Sequence, residues 1–527
     1  MRPIRITASE LSAMLDDGEE IAVIDTREEG VYAQGHLLLA ASLPLSRLEL
    51  EAAWRLPRRT VRLVLLDSDP QRQARASALL SAAGYTGLHL LDGFPDACGS
   101  AGLGIFGGKF VPSKAFGEAV EAQRHTPRIS AAQLRDLQLR QVPLLLVDSR
   151  TPEEFTQFSL PGAVSCPGAE LVLRVPDAVP EGGIALVNCA GRTRSIIGAQ
   201  SLVNAGIGCP VYAIENGTMG WRLDGHALTH GHTAHLAAPC EAAVEPARRA
   251  ALGLLQRSGG RLIGWPELQQ MLGDTQRTTY FYDVRLRQDA QQETVAGARS
   301  APGGELVQST DVFAPVRHAR IVLADTQLVQ APMTAHWLRQ MGWHADVLEP
   351  ATVPAEARGR PVPAPWLRRP DASEALSVDQ LRQRLAEASV AVIDCGNSIA
   401  YRHGHVPGAW FAGRGSLPES LASLRESGRP LVFVSDDGAL AQFAAADAAA
   451  AGFTALHLVG GQQAWVAAGG ALETGWTRPL GAPDDIWYSP YEVEPGQREQ
   501  AMREYIAWET GLLERIVTEP GLHFNVL

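Results

Sequence analysis

Cys189 opens a short run, Cys-Ala-Gly-Arg-Thr-Arg, whose residue types are suited to nucleophilic chemistry. A cysteine thiolate is a strong nucleophile, and it forms most readily beside positive charge and backbone N–H donors. Arg192 and Arg194 supply two fixed charges within five residues of the thiol. The sequence therefore predicts an activated cysteine that attacks its substrate at a site able to bind an anionic group.

A strand and a helix are expected to position this cysteine. The apolar run 184–187 predicts a buried strand, and a helical pattern extends from Ser195 to Ala205 and ends at Gly206. A loop between a strand and a helix start concentrates N–H groups and the positive end of the helix dipole, which together can form an anion-binding nest. Gly191 lets such a loop curl, because glycine adopts positive φ without steric cost.

Four stretches of the chain repeat the same order of elements. Each begins with a helix-start pattern and then reaches an apolar strand that ends in aspartate. In three of the four, a Ser or Thr precedes a Glu or Gln by three residues, which is the pattern of a capping box. The four aspartates are Asp25, Asp148, Asp283 and Asp394.

A second strand follows each of these aspartates at a nearly constant interval. We place its end at Asp67, Cys189, Asp325 and Asp436, which lie 42, 41, 42 and 42 residues after the first aspartate. A helix, a glycine and a third strand come next. This agreement predicts four copies of one module, of which only the second keeps the thiol.

Strands that alternate with helices predict an α/β fold with a mainly parallel sheet flanked by helices in each module. The predicted modules one to four span residues 1–108, 120–228, 249–350 and 373–475, each of roughly 100 residues, which suits a single core. The remaining residues, 476–527, form a tail with a helical pattern from about Gln497 to Val517. We expect this helical tail to pack against the modules.

Composition narrows the possible environments and partners. The net charge of −12 argues against a nucleic-acid surface. No apolar run reaches roughly 18 residues, so no membrane span is expected, and the N-terminus does not have the pattern of a signal peptide. Six widely scattered cysteines without a Cys-x-x-Cys pair favour a reducing compartment, so we expect a cytoplasmic protein.

With these features, the chain resembles the rhodanese family of sulfurtransferases, present here as four tandem rhodanese-like modules. The strand-Asp-x-Arg element occurs at Asp25, Asp148 and Asp283, a Gly-His-Val-Pro-Gly-Ala turn occurs at 404–409, and the cysteine loop lies at 189–194. The fourth module departs from the pattern, because Asp394 is followed by Cys-Gly instead of x-Arg.

The resemblance implies that the protein is an enzyme that moves sulfane sulfur through a persulfide on Cys189. The donor would be thiosulfate or a low-molecular-weight persulfide, and the acceptor a thiol or cyanide. Asp148 and Arg150 are expected to form a structural ion pair. The residues expected to bind the substrate are Ala190, Gly191, Arg192, Thr193, Arg194 and Ser195.

The three modules without the thiol are expected to be inactive. Asp67, Asp325 and Asp436 cannot form a persulfide, and a carboxylate at this position opposes anion binding. In two-module rhodaneses an inactive module closes the active cleft, so by analogy we expect module one to cover Cys189.

Two other functions stay open on the sequence. A multi-module sulfur carrier or scaffold would hold sulfur on Cys189 with little turnover of its own. Cysteine phosphatases share a loop of this kind, but they place arginine six positions after the cysteine, where this chain has Ser195.

No cofactor and no metal site are predicted. Four histidines after module two are too loosely spaced to indicate a ligand set; they are His226, His230, His232 and His235. The expected partners are a small sulfur donor, a thiol acceptor and a partner protein of sulfur metabolism, and neither nucleic acid nor a membrane is expected.

Overall fold

The computed structural model describes residues 3–370 and 373–527. Four sheets follow one another along the chain, one for each predicted module, and helices flank every sheet. The strand pairs within each module's main sheet are parallel. The predicted fold class, a repeated α/β module with mainly parallel sheets and a helical tail, is confirmed.

The four sheets share one strand order. The strand that ends in the first aspartate lies beside the strand that leads to the cysteine position, and the third long strand and the N-terminal strand follow. In this order, beginning with a short edge strand, module two contains Val164–Ser165, Leu144–Asp148, Ile184–Asn188, Val211–Ile214 and Arg128–Ile129. Module one contains Ala40–Ser42, Ile21–Asp25, Arg62–Leu66, Leu88–Leu91 and Ile4–Ile6. Module three contains Arg299–Ser300, Thr279–Asp283, Arg320–Ala324, His344–Leu348 and Leu262–Ile263, and module four contains Trp410–Phe411, Ala391–Asp394, Leu431–Val434, Ala455–Leu458 and Glu374–Leu376.

Short strand pairs add to these sheets. His36–Leu37 pairs antiparallel with Ile105–Phe106, and Thr294–Val295 pairs antiparallel with Arg358–Gly359. The strand Val316–Arg317 of module three pairs antiparallel with Ile21–Asp25 of module one. Backbone hydrogen bonds therefore join two modules that are far apart in the sequence.

Helices cover both faces of each sheet. Those of modules one and two are Ala8–Asp16, Glu29–Tyr32, Leu48–Arg55, Pro70–Ala82, Ala131–Leu139, Pro152–Gln157, Leu171–Ala178, Thr193–Ala205 and Gly217–Leu223. Those of modules three and four are Trp265–Gly273, Arg287–Gln292, Gly303–Gln308, Thr310–Phe313, Gln330–Gln340, Val378–Ala386, Ser398–His403, Leu417–Ser420, Ala439–Ala450 and Gly461–Ala467. Within residues 3–370 and 373–527, no helix combines the length and the apolar character needed to cross a membrane.

The capping boxes predicted from the sequence are confirmed. Thr7, Ser130 and Ser377 each accept a hydrogen bond from the third backbone N–H of the helix, and the Glu or Gln at that position returns a bond to the cap backbone. These contacts satisfy N–H groups that the helix itself leaves unpaired, and they fix where the first helix begins in modules one, two and four.

Two connections between the predicted modules contain long helices. Val111–Arg124, which we call the linker helix, joins modules one and two, and Glu241–Arg257 joins modules two and three. The linker helix buries Val111, Ala115 and Phe116 completely. Its apolar face therefore packs as part of the core, which explains why this connection is a helix instead of an open loop.

The tail, residues 476–527, contains the helices Arg498–Thr510 and Leu512–Ile516. It contacts every module. Gly30 of module one donates to the Asp484 carbonyl, Arg317 of module three donates to the Gly521 carbonyl, and hydroxyl bonds link Tyr491 to Thr218 of module two and Tyr488 to Ser398 of module four. The tail is therefore a strap that packs across all four modules.

Candidate active site

Cys189 lies directly after the central strand Ile184–Asn188 of module two and is 2% exposed. Asn188 is in register with Asp148 on the neighbouring strand, so the thiol sits at the carboxyl edge of the parallel sheet. The Cys189 Sγ is 3.5 Å from the Ser195 hydroxyl, which itself donates a 2.8 Å hydrogen bond to the Arg192 carbonyl. The carboxyl edge is where parallel α/β sheets bind their ligands.

The carbonyl groups of the cysteine loop, residues 189–194, are held from behind by the helix Gly217–Leu223. Thr218 N–H donates to the Cys189 carbonyl at 2.9 Å, and Met219 N–H donates to the Ala190 carbonyl at 3.0 Å. A Cβ at Gly217 would lie 2.2 Å from the Cys189 carbonyl oxygen, and the residue has a φ of +54°. Only glycine fits there, and the close approach fixes the loop with its carbonyl groups turned away from the thiol.

Several N–H groups of the loop are left without an acceptor. Among the described residues, none accepts a hydrogen bond from the backbone N–H of Gly191, Arg192, Arg194 or Ser195. The helix Thr193–Ala205 begins in this run, so its positive dipole end adds to the field of the N–H groups. The arrangement is a nest that can bind the negative charge of an anion or of a persulfide.

Arg192 is committed to an ion-pair network away from the thiol. Its Nε and one terminal nitrogen contact Glu118 of the linker helix at 2.7 and 2.8 Å, and it also contacts Glu121 and Asn216. Burial acts to lower the pKa of this guanidinium, but the two glutamates outweigh burial and hold the pKa above its ordinary value. The structure thus gives the Arg192 side chain a role in docking the linker helix onto the loop.

Arg194 stays close to the thiol, although it too has a carboxylate partner. Both of its terminal nitrogens contact Glu154, at 2.6 and 2.9 Å. Burial acts to lower the pKa of Arg194, and Glu154, Cys189 and Asp148 together raise it above its ordinary value. Arg194 also borders a cavity of about 120 Å³ that module two shares with Gly303 and Gly304 of module three.

Lys114, on the linker helix, is a second cation beside the thiol. It is 7% exposed, contacts the Tyr505 hydroxyl, and lies 4.0 Å from a Glu509 carboxylate oxygen. Burial lowers the pKa of the Lys114 ammonium, Arg194 lowers it further, and Glu509 and Cys189 act in the opposite direction. The positive charge near the thiol therefore comes from one arginine and one lysine.

The tail closes the loop from above. Glu509 Oε1 accepts from the Thr193 hydroxyl at 2.5 Å and from its N–H at 3.3 Å. A Cβ at Gly191 would lie 3.2 Å from both Glu509 Oε2 and the Tyr505 ring, so the tail rests directly on that glycine. The second Glu509 oxygen is buried and has no hydrogen-bond partner among the described residues.

Tyr491 covers the other side of the loop. Its hydroxyl is 2.6 Å from the Thr218 hydroxyl, and its ring stacks on Phe158 with 4.3 Å between the ring centroids. Burial raises the pKa of Tyr491, and the nearby Cys189 contributes to this rise. Tyr491 therefore lies close to the thiol.

Module one does not cover Cys189, contrary to the expectation from two-module relatives. Within residues 3–370 and 373–527, the side chains that hydrogen-bond to the cysteine loop belong to module two, the linker helix and the tail. The analogy fails because this chain has a tail and a linker helix that occupy the space above the loop.

Asp148 and Arg150 form a fully buried ion pair behind the loop. Arg150 donates to both Asp148 oxygens at 2.9 Å and to the Phe158 carbonyl at 2.5 Å, while the Asn188 amide also donates to Asp148. The same pair recurs in module one as Asp25 with Arg27 and in module three as Asp283 with Arg285.

The strand register identifies the residues that occupy the cysteine position in the other modules. Asp67 follows Leu66, the partner of Asp25, and Asp325 follows Ala324, the partner of Asp283. In module four, Asp394 is in register with Val434, so the next residue is Ser435. The assignment of Asp436 to this position is therefore wrong by one residue.

Hydrogen bonds support this correction. Gln462 N–H donates to the Ser435 carbonyl at 2.9 Å, as Thr218 N–H does to the Cys189 carbonyl. The interval from Asp394 to Ser435 is 41 residues, which equals the interval in module two. Asp436 comes one position later and accepts a side-chain bond from Gln463.

The sequence analysis did not find Lys114, Tyr491, Tyr505 or Glu509 as site residues. One signal pointed to the first of them: the chain contains only two lysines, Lys109 and Lys114, among its 46 basic residues. No sequence motif distinguishes the three tail residues, and the tail was expected only to pack against the modules.

No metal site emerges from the part of the chain that the structure describes, where no group of three or more His, Cys, Asp or Glu side chains could hold an ion. His230 Nδ1 donates to the Gln157 carbonyl at 2.7 Å, and His235 Nδ1 donates to the Thr233 carbonyl at 3.3 Å. All six cysteines are free thiols.

The family model of the rhodanese-like domain matches the chain at residues 7–97, 130–224 and 377–468. A solved thiosulfate sulfurtransferase from Pseudomonas aeruginosa is 39% identical, with 99% of each chain covered and a TM-score of 0.91. The chain belongs to the rhodanese family. It is a sulfurtransferase built from repeated rhodanese-like domains.

Smaller solved structures match one module at a time. A rhodanese-like domain protein from Staphylococcus aureus is 23% identical over 19% of this chain and 97% of its own, with a TM-score of 0.18. A rhodanese-like domain from Anabaena is 24% identical over 20% of this chain and 82% of its own, with a TM-score of 0.19. A search of curated proteins found no match.

Proposed function

We propose that this rhodanese transfers sulfane sulfur from thiosulfate or a low-molecular-weight persulfide to a thiol or cyanide through a persulfide on Cys189. The observation that carries the proposal is a buried thiol at the carboxyl edge of the sheet, beside loop N–H groups that have no acceptor in the described structure. The related Pseudomonas enzyme, a thiosulfate sulfurtransferase, supports thiosulfate as a donor.

In the first half-reaction, the Cys189 thiolate attacks the outer sulfur of thiosulfate. The sulfur–sulfur bond of the donor breaks, its electron pair leaves with sulfite, and Cys189 keeps one extra sulfur that carries the negative charge. The nest at residues 191–195 and the charges of Arg194 and Lys114 stabilise that charge, because charge-assisted hydrogen bonds are stronger than neutral ones.

In the second half-reaction, the acceptor attacks the outer sulfur of the persulfide. With a thiol acceptor, the sulfur and the thiol proton leave together as a new persulfide and the Cys189 thiolate returns. With cyanide, the product is thiocyanate. Two half-reactions that share one enzyme intermediate give ping-pong kinetics.

The other side chains act through the loop. Ser195 donates to the Arg192 carbonyl, Thr193 ties the loop to the tail through Glu509, and Ala190 is held by Met219. Asp148 and Arg150 brace the strand end beneath the loop. The nucleophile of the proposal is Cys189 alone.

We propose that modules one, three and four, which span residues 1–108, 249–350 and 373–475, are non-catalytic. Each has an oxygen side chain where a thiol is required: Asp67, Asp325 and Ser435. The cytoplasm is the proposed compartment, because six free thiols suit a reducing environment.

The test is persulfide formation measured by intact mass. After incubation with thiosulfate and removal of excess donor, the wild-type protein should gain the mass of one sulfur atom, and peptide mapping should place it on Cys189. The variant Cys189→Ser should gain nothing and lose turnover. Cys240→Ser is the matched control, because Cys240 is exposed and lies outside the site, and this variant should load like the wild type.

Three outcomes would redirect the proposal. Sulfur loading on the Cys189→Ser variant would refute the assignment of the nucleophile. Loading of the wild type without repeated turnover, with thiols and cyanide both offered, would make the protein a sulfur carrier; turnover of an aryl phosphate would indicate phosphatase chemistry instead.

A further inference from the structure

A cavity of about 450 Å³ lies between module two, module four and the tail. Phe158 and Arg222 of module two, Arg402 of module four, and Tyr491 and Arg498 of the tail belong to its walls. Cavities of this size hold organic molecules of up to drug size. The volume is several times that of the 120 Å³ cavity beside Arg194, and it exceeds what a small inorganic anion needs.

Three guanidinium groups face this cavity without a carboxylate partner. Within the described parts of the chain, Arg222, Arg402 and Arg498 form no salt bridge, whereas Arg192 and Arg194 near the thiol are both paired. Guanidinium groups stay charged at any physiological pH, and they bind carboxylates through two parallel hydrogen bonds. An unpaired set of this kind indicates an anionic ligand.

The two carboxylates at the cavity, Glu492 and Glu494, offset part of this charge and leave one arginine charge in excess. Glu492 is engaged by the backbone N–H of Ser489 at 2.9 Å and by its hydroxyl, and Glu494 is exposed. His230 bonds the Gln157 carbonyl through Nδ1 at 2.7 Å. The interior of the cavity therefore keeps a positive surplus.

Arg402 is held in place for such a role. Its guanidinium carbon lies 5.2 Å from the Trp476 ring centroid and 4.9 Å from that of Tyr488. Its Nε is buried and has no hydrogen-bond partner among the described residues. Two aromatic rings thus fix the orientation of a guanidinium that retains unused donors, which is typical of a preformed anion site.

Tyr491 separates this cavity from the thiol. It lines the cavity, and its hydroxyl bonds Thr218, whose N–H holds the Cys189 carbonyl. Burial raises the pKa of Tyr491, Cys189 raises it further, and Arg222 lowers it, so one hydroxyl is close to both the thiol and the cavity wall. Tyr491 is therefore a wall residue of the cavity that also contacts the helix holding the cysteine loop.

We infer that this cavity, which we call the arginine cavity, binds the sulfur acceptor, and that the acceptor is an organic thiol bearing at least one carboxylate. The inference rests on the proposed function. The carboxylates of the acceptor would pair with Arg222, Arg402 and Arg498 while its thiol extends past Tyr491. Its sulfur then attacks the outer persulfide sulfur, the bond to Cys189 breaks, and the thiol proton leaves with the new persulfide.

The test measures discharge of the preloaded persulfide in a single turnover. The wild-type protein is loaded with thiosulfate and freed of excess donor, and it is then mixed with mercaptoacetate, glutathione or 2-mercaptoethanol. The variants are Arg222→Glu and Arg402→Gln. The matched control is Arg503→Glu, which makes the same charge change as the first variant at an exposed position of the tail helix outside the cavity.

We expect Arg222→Glu to slow discharge to mercaptoacetate and glutathione by about ten-fold or more, and discharge to 2-mercaptoethanol by less than about two-fold. Arg402→Gln should act in the same direction, and Arg503→Glu should leave both classes of thiol within about two-fold of the wild type. A cavity variant that slows anionic and neutral thiols equally, or neither, would overturn the inference. Failure of the proposed function would be visible earlier, because no sulfur would load on Cys189.

Discussion

The loops of modules two and three enter their helices with nearly the same backbone angles but have opposite contents, and the loop of module three is one residue longer. The residue before the loop helix has φ and ψ of −121° and −61° at Arg192, and of −123° and −56° at Val329. In both modules the loop follows the central strand of a parallel sheet. Any difference in anion binding must therefore come from the residues of the loop and not from the fold.

In module three, the loop is filled by its own side chain. The Asp325 carboxylate accepts from the N–H groups of Leu328, Val329 and Ala331 at 2.8, 2.8 and 3.0 Å. Burial nevertheless raises the pKa of Asp325, and these three N–H donors oppose that rise. In module two, Cys189 leaves the equivalent N–H groups without an acceptor in the described structure. The first residue of the loop thus distinguishes a nest that can receive an anion from one that already contains a carboxylate.

The same comparison explains the other two modules. In module one, Asp67 pairs with Arg72 and accepts from Thr26, so its charge is also used internally. In module four, Ser435 Oγ accepts from the Ala441 N–H. Each thiol-free loop satisfies at least one of its own donors, which supports the proposal that these modules serve structure instead of catalysis.

The largest effect on this comparison is expected from Arg194. Replacing it by Met should slow sulfur loading from thiosulfate by about ten- to hundred-fold, because a charge-assisted hydrogen bond near the thiol is lost. The loading rate is measured by rapid mixing with thiosulfate, quenching, and mass spectrometry of the peptide that contains Cys189.

Arg194→Lys is the matched control, since it keeps the charge while losing the fork that contacts both oxygens of Glu154. It should retain most of the loading rate. Equal losses in the Met and Lys variants would mean that Arg194 acts only through its contact with Glu154.

A smaller effect is expected when the carboxylate is removed from the module three nest. Asp325→Ala leaves three N–H groups without an acceptor, which costs about 2 kcal/mol and corresponds to roughly thirty-fold faster hydrogen exchange at these amides. Exchange measured by mass spectrometry on peptides covering residues 326–332 reports the change. Loading of Cys189 should be unaffected, and unchanged exchange would contradict the role assigned to Asp325.

The smallest effect concerns the strand-end aspartate of module four, which lacks the arginine present in the other modules. Burial raises the pKa of Asp394 to about 7 from an ordinary value of 3.8. The folded protein therefore holds this proton while the unfolded chain releases it, so the contribution to stability is full below pH 3.8 and is lost as the pH rises through about 7.

The variant Asp394→Asn removes this dependence. Between about pH 5 and about pH 6, the unfolding free energy of the wild type should fall by about 1 kcal/mol relative to that of the variant. Thermal unfolding of both proteins at the two pH values gives the difference. An unchanged difference in unfolding free energy between the two proteins at the two pH values would contradict the explanation.

The sequence was sufficient for the features set by local patterns. Capping at Thr7, Ser130 and Ser377, the strand before Cys189 and the helix after it follow from residue spacing within a few positions. The error at Asp436 arose because loop lengths differ by one residue between modules, and only strand register resolves such a shift.

The residues of the linker helix and the tail that cover Cys189 could not be predicted in the same way. Glu509 contacts Thr193 across 316 positions of sequence, and Lys114 contacts Tyr505 across 391. No periodicity or motif encodes contacts of this range, because they depend on how four modules and a tail pack together. The partners of the Arg192 side chain could not be predicted for the same reason, since Glu118 and Glu121 lie on the linker helix.

The strap formed by residues 476–527 has a consequence for the chemistry of a stored sulfur atom. Persulfides are easily oxidised and exchange with any thiol that reaches them. Tyr491, Tyr505 and Glu509 shield Cys189, so removal of the segment after Ile486 would leave a persulfide of the proposed mechanism open to every passing thiol and oxidant. Under the proposed mechanism, the C-terminal segment would thus keep the stored sulfur atom for the acceptor and out of the surrounding solution.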